Sequence, residues 1–269
     1  ELRAGLGYGM LSGPDIAPDI ANVERESFND ACLPRRFRDA LAKLNPAMPA
    51  SALDEAFRKV MRTESASLVQ NNRTFHKMLI DGISVEKDSG EDSSGARHDI
   101  VRLIDFEHPE NNDWLAVNQF TVVDGQHNRR PDIVIFVNGL PLAVIELKNP
   151  ADENATVWTA FKQFQTYKQE ISPLFVYNAV LMVSDGLEAR MGAVTSDKEW
   201  FMPWRTIEGE ALAPKTMLQM DVLIKGVFDK KRFLSLLQNF IVFEEKDGGV
   251  VEKKIAGYHQ YHAVGTAVD

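Results

Sequence analysis

Residues 130–150 read RPDIVIFVNGLPLAVIELKNP, and the fold turns on this stretch. Two nearly apolar runs, 132–137 and 142–148, flank Asn138 and Gly139, a pair that strongly marks a hairpin turn. Three charges interrupt them: Asp132 opens the first run, and Glu146 and Lys148 end the second. Charged groups in buried strands are costly unless they are paired or bound to a metal ion. Side chains alternate along a strand, so Glu146 and Lys148, two apart, share a face. Asp132 joins that face only if it lies opposite Glu146. A regular two-residue hairpin at Asn138 and Gly139 pairs Asp132 with Ile145 and separates the carboxylates. A three-residue loop over 138–140 pairs 137 with 141 and 132 with 146. Bringing the carboxylates together therefore requires a three-residue or otherwise bulged turn. In that register Val134, Phe136, Leu142 and Val144 share the charged face. Ile133, Ile135, Val137, Ala143, Ile145 and Leu147 cover the other. Both faces are apolar, so the hairpin is expected at the centre of a sheet.

Working outward, the first eighty residues read as helical. Pro34 suits the first turn of a helix through Leu41. Ser51 followed by Asp54 resembles a capping box, with Leu53, Phe57 and Val60 on one face behind it. Leu68, Phe75, Met78 and Leu79 continue a stripe that stops at Gly82. Residues 83–86 are β-like, and the polar, Gly/Ser-rich 87–96 read as an exposed loop. Strands are expected over 98–106, 114–123, 132–137 and 142–148, then a helix over 155–170 and a strand over 176–184. Residues 229–240 read as a capped amphipathic helix. The order gives an α/β fold with a mixed central sheet flanked by helices and a helical N-terminal region. The expected division is a helical region over 1–82, a core over 83–215, and a C-terminal helical segment over 216–269.

Composition narrows the function classes. The 269 residues carry 44 % apolar and 26 % charged side chains, ordinary for a globular protein. No apolar run approaches the roughly 20 residues that span a bilayer. Cys32 is the only cysteine, which excludes an intrachain disulfide and a Cys₄ or Cys₂His₂ zinc site and makes the cytoplasm the expected compartment. The formal net charge of −9 argues against a protein that coats nucleic acid. It leaves room for a nuclease, whose metal site needs carboxylates. Local basic clusters stand at Arg35, Arg36 and Arg38, at Arg129 and Arg130, and at Lys230, Lys231 and Arg232; solvated surface charge is the ordinary reading of each. No phosphate-binding G-x-x-x-x-G-K-[ST] occurs in these residues.

Two carboxylates on adjacent strands make a hard-oxygen site of the kind Mg²⁺ favours. The ion polarises a phosphoryl group and lowers the pKa of a bound water. A nearby ammonium orients the attacking water and stabilises transition-state charge. Asp132, Glu146 and Lys148 supply those parts, and the backbone carbonyl of Leu147 is a candidate extra ligand.

Pro131-Asp132 followed by Glu146-x-Lys148 resembles the PD-(D/E)xK nuclease superfamily. Gln163 and Tyr167, four apart on one helix face, resemble the Q-x-x-x-Y motif that follows the E-x-K strand in restriction (motor) subunits of type I restriction enzymes. Further segments resemble that family: LGYGMLSGPDIAPD from Leu6, NNRTFHKMLIDGISVE from Asn71, NQFTV from Asn118, FVYNAVLMVSDG from Phe175, EWFMPWRTIEG from Glu199 and IAGYHQYHAV from Ile255. The resemblance implies a restriction-endonuclease-like core and an N-terminal fragment that leads into a helicase-like ATPase motor. It implies Mg²⁺-dependent hydrolysis of double-stranded DNA after ATP-driven translocation, with ATP needed only by the full-length subunit. Modification (methyltransferase) and specificity subunits are the implied partners. Many members of the superfamily place another acidic residue on the helix before the core sheet; Glu64 is the best-placed candidate here, although a solvated glutamate is its ordinary reading. His76 reads as structural. Two other functions stay open: a non-catalytic module that holds DNA or couples subunits, and a stand-alone nuclease of the same superfamily.

Overall fold

The computed structural model describes residues 2–20, 24–86, 98–152 and 154–268, so the expected loop over 87–96 lies outside the described residues. In chain order the strands are β1 (Gly9–Ser12), β2 (Ile83–Glu86), β3 (His98–Val101), β4 (Trp114–Asn118), β5 (Val122–Asp124), β6 (His127–Arg129), β7 (Ile133–Val137), β8 (Leu140–Leu147), β9 (Val180–Ser184), β10 (Ala189–Gly192), β11 (Ile241–Glu245) and β12 (Val251–Ile255). The helices are α1 (Pro34–Leu44), α2 (Ala50–Met61), α3 (Leu68–Asp81), α4 (Val157–Glu170), α5 (Ser172–Val176), α6 (Gln219–Val227), α7 (Lys230–Asn239) and α8 (Tyr258–Val268).

Six strands form one mixed sheet in the order β1-β4-β7-β8-β9-β10. The β1/β4 and β8/β9 pairs are parallel and the others antiparallel. This is the expected mixed central sheet flanked by helices, and it has the form of a PD-(D/E)xK-like core. The β7/β8 hairpin sits at its centre, where β8 is buried from Leu140 through Glu146. An apolar strand covered on both faces is what its unbroken hydrophobic run calls for. The remaining strands pair as β2/β3, β5/β6 and β11/β12 ribbons.

The hairpin satisfies the parity requirement by a route of its own. The turn has two residues: Val137 pairs with Leu140, and Asn138 and Gly139 both take positive φ, 53° and 77°. Two left-handed residues match the twist of the flanking strands. The register then slips between Phe136↔Pro141 and Ile135↔Ala143, leaving Leu142 as the extra residue of a β-bulge. Beyond the bulge Ile133 pairs with Ile145, so Asp132 stands opposite Glu146. The three-residue loop over 138–140 is therefore replaced by a two-residue turn plus a bulge, with the same effect on parity.

The turn end is closed. Asn138 is fully buried, and its amide donates to the Leu103 carbonyl at 2.9 Å and to Asn112 Oδ1 at 2.9 Å. The Gly139 carbonyl accepts the Leu33 N–H at 2.8 Å, at the start of α1. A Cβ on Gly139 would lie 2.6 Å from the Leu33 carbonyl oxygen, so glycine is required by space as well as by φ. With this end sealed by α1, the charged end of the hairpin is the one free to carry a site.

Several expectations are corrected. The first eighty residues are not all helical, because β1 adds to the sheet edge beside β4; a four-residue strand that opens on Gly9 is too short to show a strand period. The helix expected at Ser51 starts at Ala50 without a capping box, and Asp54 instead pairs with Arg38 at 2.6 Å. The strand over 98–106 stops at Val101, and the one over 114–123 breaks at Gln119, whose φ is 56°. Residues 172–176 are a helical turn before β9 begins at Val180. Within 216–269 the β11/β12 ribbon separates α7 from α8. Among the described residues no helix is long and apolar enough to cross a membrane.

Candidate active site

Asp132 immediately precedes β7, Glu146 is the penultimate residue of β8, and Lys148 immediately follows it. The bulge brings the two carboxylates to one face, and the Asp132 charge acts on the Glu146 carboxyl. Asp132 is held at both oxygens: Oδ2 accepts the Leu147 N–H at 2.8 Å, and Oδ1 accepts the Gln119 side-chain amide at 3.0 Å. Lys148 Nζ donates to Glu146 Oε1 at 3.1 Å, and the side chains are 17 % and 3 % exposed. Among the described residues, Glu146 Oε2 is buried with no hydrogen-bond partner. Burial first, and the neighbouring Asp132 second, push the Glu146 carboxyl up to about 7, against the pull of Lys148.

The next helix completes the arrangement. The Val157 N–H at the start of α4 donates to Asp185 Oδ2 at 3.1 Å, which satisfies one of the free N–H groups of a helix start. The helix packs on β8 and β9. Gln163 and Tyr167 lie one turn apart on the face toward the carboxylates. Lys148 Nζ donates to Gln163 Oε1, and the Gln163 amide donates to the Tyr167 hydroxyl. Tyr167 is buried, and its hydroxyl is pushed up to about 12, chiefly by burial and then by Glu146. The polar chain Tyr167–Gln163–Lys148–Glu146 thus fixes the ammonium between a neutral amide and a carboxylate. Beyond it, Arg129 of β6 bonds Glu170 at the end of α4, with His127 Nδ1 3.5 Å from the same carboxylate.

The donor set suits a small hard cation. Two carboxylates converge, one with an orphaned buried oxygen. Backbone direction adds a third oxygen. The Lys148 N–H goes to Ser184 of β9, whereas the Leu147 N–H goes to Asp132 on the β7 side. The N–H and C=O of one strand residue point the same way, so the Leu147 carbonyl also faces the Asp132 side.

Other candidate residues lie elsewhere. Glu64 falls on the loop between α2 and α3, not on a helix; its side chain is 69 % exposed, with Arg62 4.0 Å away. Among the described residues no hydrogen bond or ion pair joins it to the carboxylates. His76 packs against the Phe243 ring at 5.4 Å, and burial, with Lys253 nearby, pushes its imidazole down to about 3. That is the structural role expected of it. Arg36 and Arg38 are engaged with Glu24, Asp113 and Asp54. Gln119 was not singled out by sequence reasoning as a site residue; a glutamine carries no local signal for the left-handed turn that brings it to Asp132.

Comparison with known proteins places the chain in a family. Residues 1–200 match the family model for the type I restriction enzyme R protein N terminus. The chain is 39 % identical over 268 residues to the type I restriction enzyme HindI endonuclease subunit of Haemophilus influenzae, covering 98 % of this chain and 25 % of that protein. It is 34 % identical over 284 residues to the putative type I restriction enzyme MjaIXP endonuclease subunit of Methanocaldococcus jannaschii, covering 98 % of this chain and 26 % of that one. A shorter likeness, 30 % over 154 residues, is to the type I restriction enzyme EcoprrI endonuclease subunit of Escherichia coli, with 54 % of this chain and 46 % of that protein covered. The chain spans about a quarter of the length of the first two relatives. It belongs to the family of type I restriction enzyme R protein N termini.

Proposed function

We propose that this chain is the DNA-cleaving portion of a type I restriction enzyme's endonuclease subunit, hydrolysing phosphodiester bonds of double-stranded DNA with Mg²⁺. The observation that carries the reading is the bulge-set pairing of Asp132 with Glu146, with Lys148 held beside them. Asp132, Glu146 and the Leu147 carbonyl would hold the ion. When bound it supplies Lewis-acid polarisation of the phosphoryl group and a more acidic water. Asp132 is kept in place by its two hydrogen bonds. Glu146 keeps one oxygen for Lys148 and presents the other, unpartnered one. Lys148 places its ammonium where negative charge grows on the transferring phosphoryl oxygens. Gln163, backed by Tyr167, prevents that ammonium from folding wholly onto Glu146.

In the full subunit, by family resemblance, cutting follows ATP-driven translocation by a motor beyond these residues, in a cytoplasmic complex with modification and specificity subunits. The alternative of a non-catalytic coupling module gives no reason to gather these three charges, Glu146 buried and Asp132 and Lys148 half-buried beside it. The test is cleavage of circular DNA by the assembled enzyme carrying Lys148→Ala. Cleavage should fall at least about 100-fold, while DNA-stimulated ATP hydrolysis and divalent-ion binding persist. Cleavage near the wild-type rate by a folded variant would remove Lys148 from the mechanism and favour the coupling reading.

A further inference from the structure

The N-terminal segment around β1 matches the family in sequence yet supplies no residue to the proposed chemistry. Its Gly13 meets the site through Gln119. Ser12 pairs with Asn118 at the end of the parallel β1/β4 ladder, and Gly13 follows against the next residue of the neighbouring strand. A Cβ on Gly13 would lie 1.9 Å from the Gln119 carbonyl oxygen and 2.8 Å from its carbonyl carbon. Only a residue without a side chain lets that peptide approach.

Gln119 itself is bent into the left-handed region, with φ 56°. Among the described residues Asn138 is the other non-glycine with positive φ. Asparagine reaches this region by bonding its own backbone, whereas glutamine has no such help and adopts it at a cost. The bend has two consequences. It ends β4, and it turns the Gln119 side chain onto Asp132. Gln119 grips Asp132 twice, its backbone N–H donating to the Asp132 carbonyl at 2.8 Å and its side-chain amide to Oδ1 at 3.0 Å. The following residue, Phe120, is fully buried, packed edge-on against Phe136 at 5.2 Å and beneath the Arg25 guanidinium at 4.1 Å. The bend is therefore fixed on one side by Gly13 and on the other by Phe120.

We propose that Gln119 is a positioning residue for Asp132, seated by Gly13, and that it sets the strength of divalent-ion binding at the site. The proposal rests on the reading of Asp132 as a metal-holding carboxylate. Gln119 and the Leu147 N–H each take one lone pair of a different Asp132 oxygen, so each oxygen keeps another for a cation. A carboxylate locked in this way binds without losing rotamer freedom. Partners behind a metal's direct ligands typically contribute about 10- to 100-fold in metal affinity or activity.

The experiment measures Mn²⁺ binding by the nucleotide-free full-length subunit, taking the binding lost in Asp132→Ala as that of the site. Gln119→Gly removes the amide and relaxes the backbone, because glycine occupies the left-handed region freely. The half-saturating Mn²⁺ concentration should rise about 10-fold or more, with the metal-free melting temperature unchanged or raised. DNA cleavage should recover at saturating Mn²⁺, which a merely structural defect would not allow. Gly13→Ala should reproduce the weakened binding by displacing the Gln119 peptide. If Gln119→Gly does not fold, Gln119→Asn is read by the same criterion; it tolerates the bend, but its shorter amide cannot keep the bond to Asp132. Wild-type Mn²⁺ binding in the folded Gln119 variant overturns the proposal, as does cleavage that saturating Mn²⁺ fails to restore. If instead Asp132→Ala leaves Mn²⁺ binding untouched, it is the metal reading of the site that fails.

Discussion

Glu146→Gln should stabilise the metal-free chain at neutral and alkaline pH while destroying its proposed chemistry. Glu146 is 2 % exposed, and burial together with Asp132 raises its carboxyl from 4.5 to about 7. That rise already includes the opposing pull of Lys148. It corresponds to roughly 3 kcal/mol against the charged form in the folded chain. Well below pH 4.5 the group is protonated folded and unfolded, and makes no difference to stability. Between 4.5 and about 7 the unfolded chain releases a proton that the folded chain keeps, so stability falls as pH rises; above about 7 the penalty is complete. A glutamine has the shape of the neutral acid and never incurs it. At pH 8 in chelator, Glu146→Gln should therefore exceed wild type by up to about 3 kcal/mol, or roughly 5–10 °C in Tm for a chain of this size. At pH 4.5 the gap should shrink to under about 0.5 kcal/mol. Added Mg²⁺ should raise the melting temperature of wild type and leave the variant unmoved, because a ligand stabilises only the form that binds it. The assay is a set of urea and thermal melts from pH 4.5 to 8.5, with chelator or Mg²⁺. A variant less stable than wild type at pH 8 in chelator, or a gap that does not widen with pH, would refute the account of a carboxyl strained by burial beside Asp132.

Gln163→Leu should remove the amide that holds Lys148 and lower cleavage by the assembled enzyme about 10- to 100-fold. Its melting temperature should move by only a few degrees, and a variant that cuts normally would show that Lys148 needs no such support. Gly139→Ala should destabilise the chain by about 1–3 kcal/mol, because a side chain at this left-handed position also meets α1; denaturant melts check it, and an unchanged midpoint would mean that the turn tolerates a different shape.

The hairpin was the most legible part of the fold. Asn138 and Gly139 mark its turn, its apolar runs demand burial on both faces, and side-chain parity requires one extra residue if Asp132 and Glu146 are to meet. The position of that residue was not read, although Pro141 offered a clue. Proline cannot donate to a ladder and inside sheets is confined to edges, strand starts and bulges; here it adjoins the bulged Leu142. Gln163 and Tyr167 were legible because a spacing of four fixes a helix face. What escaped sequence reasoning depends on distant contacts. β1 is too short to show a period, and it becomes a strand by pairing with residues 115–118. The bend at Gln119 depends on the absence of a side chain at Gly13. Lys253 carries no local sign of burial in the sequence, yet it is 2 % exposed and donates to Asn72 Oδ1 at 2.9 Å and to the Asn178 carbonyl at 2.6 Å. Those partners lie 181 and 75 residues away in sequence, where no local pattern reaches.

The most direct test of the site is a crystal structure of the chain soaked in Mn²⁺, read by anomalous scattering. The account predicts a peak between Asp132 and Glu146, about 2.0–2.3 Å from one oxygen of each carboxylate and within reach of the Leu147 carbonyl, and no peak there in an Asp132→Ala crystal. Full Mn²⁺ occupancy elsewhere, with Glu146 Oε2 still unpartnered, would contradict it.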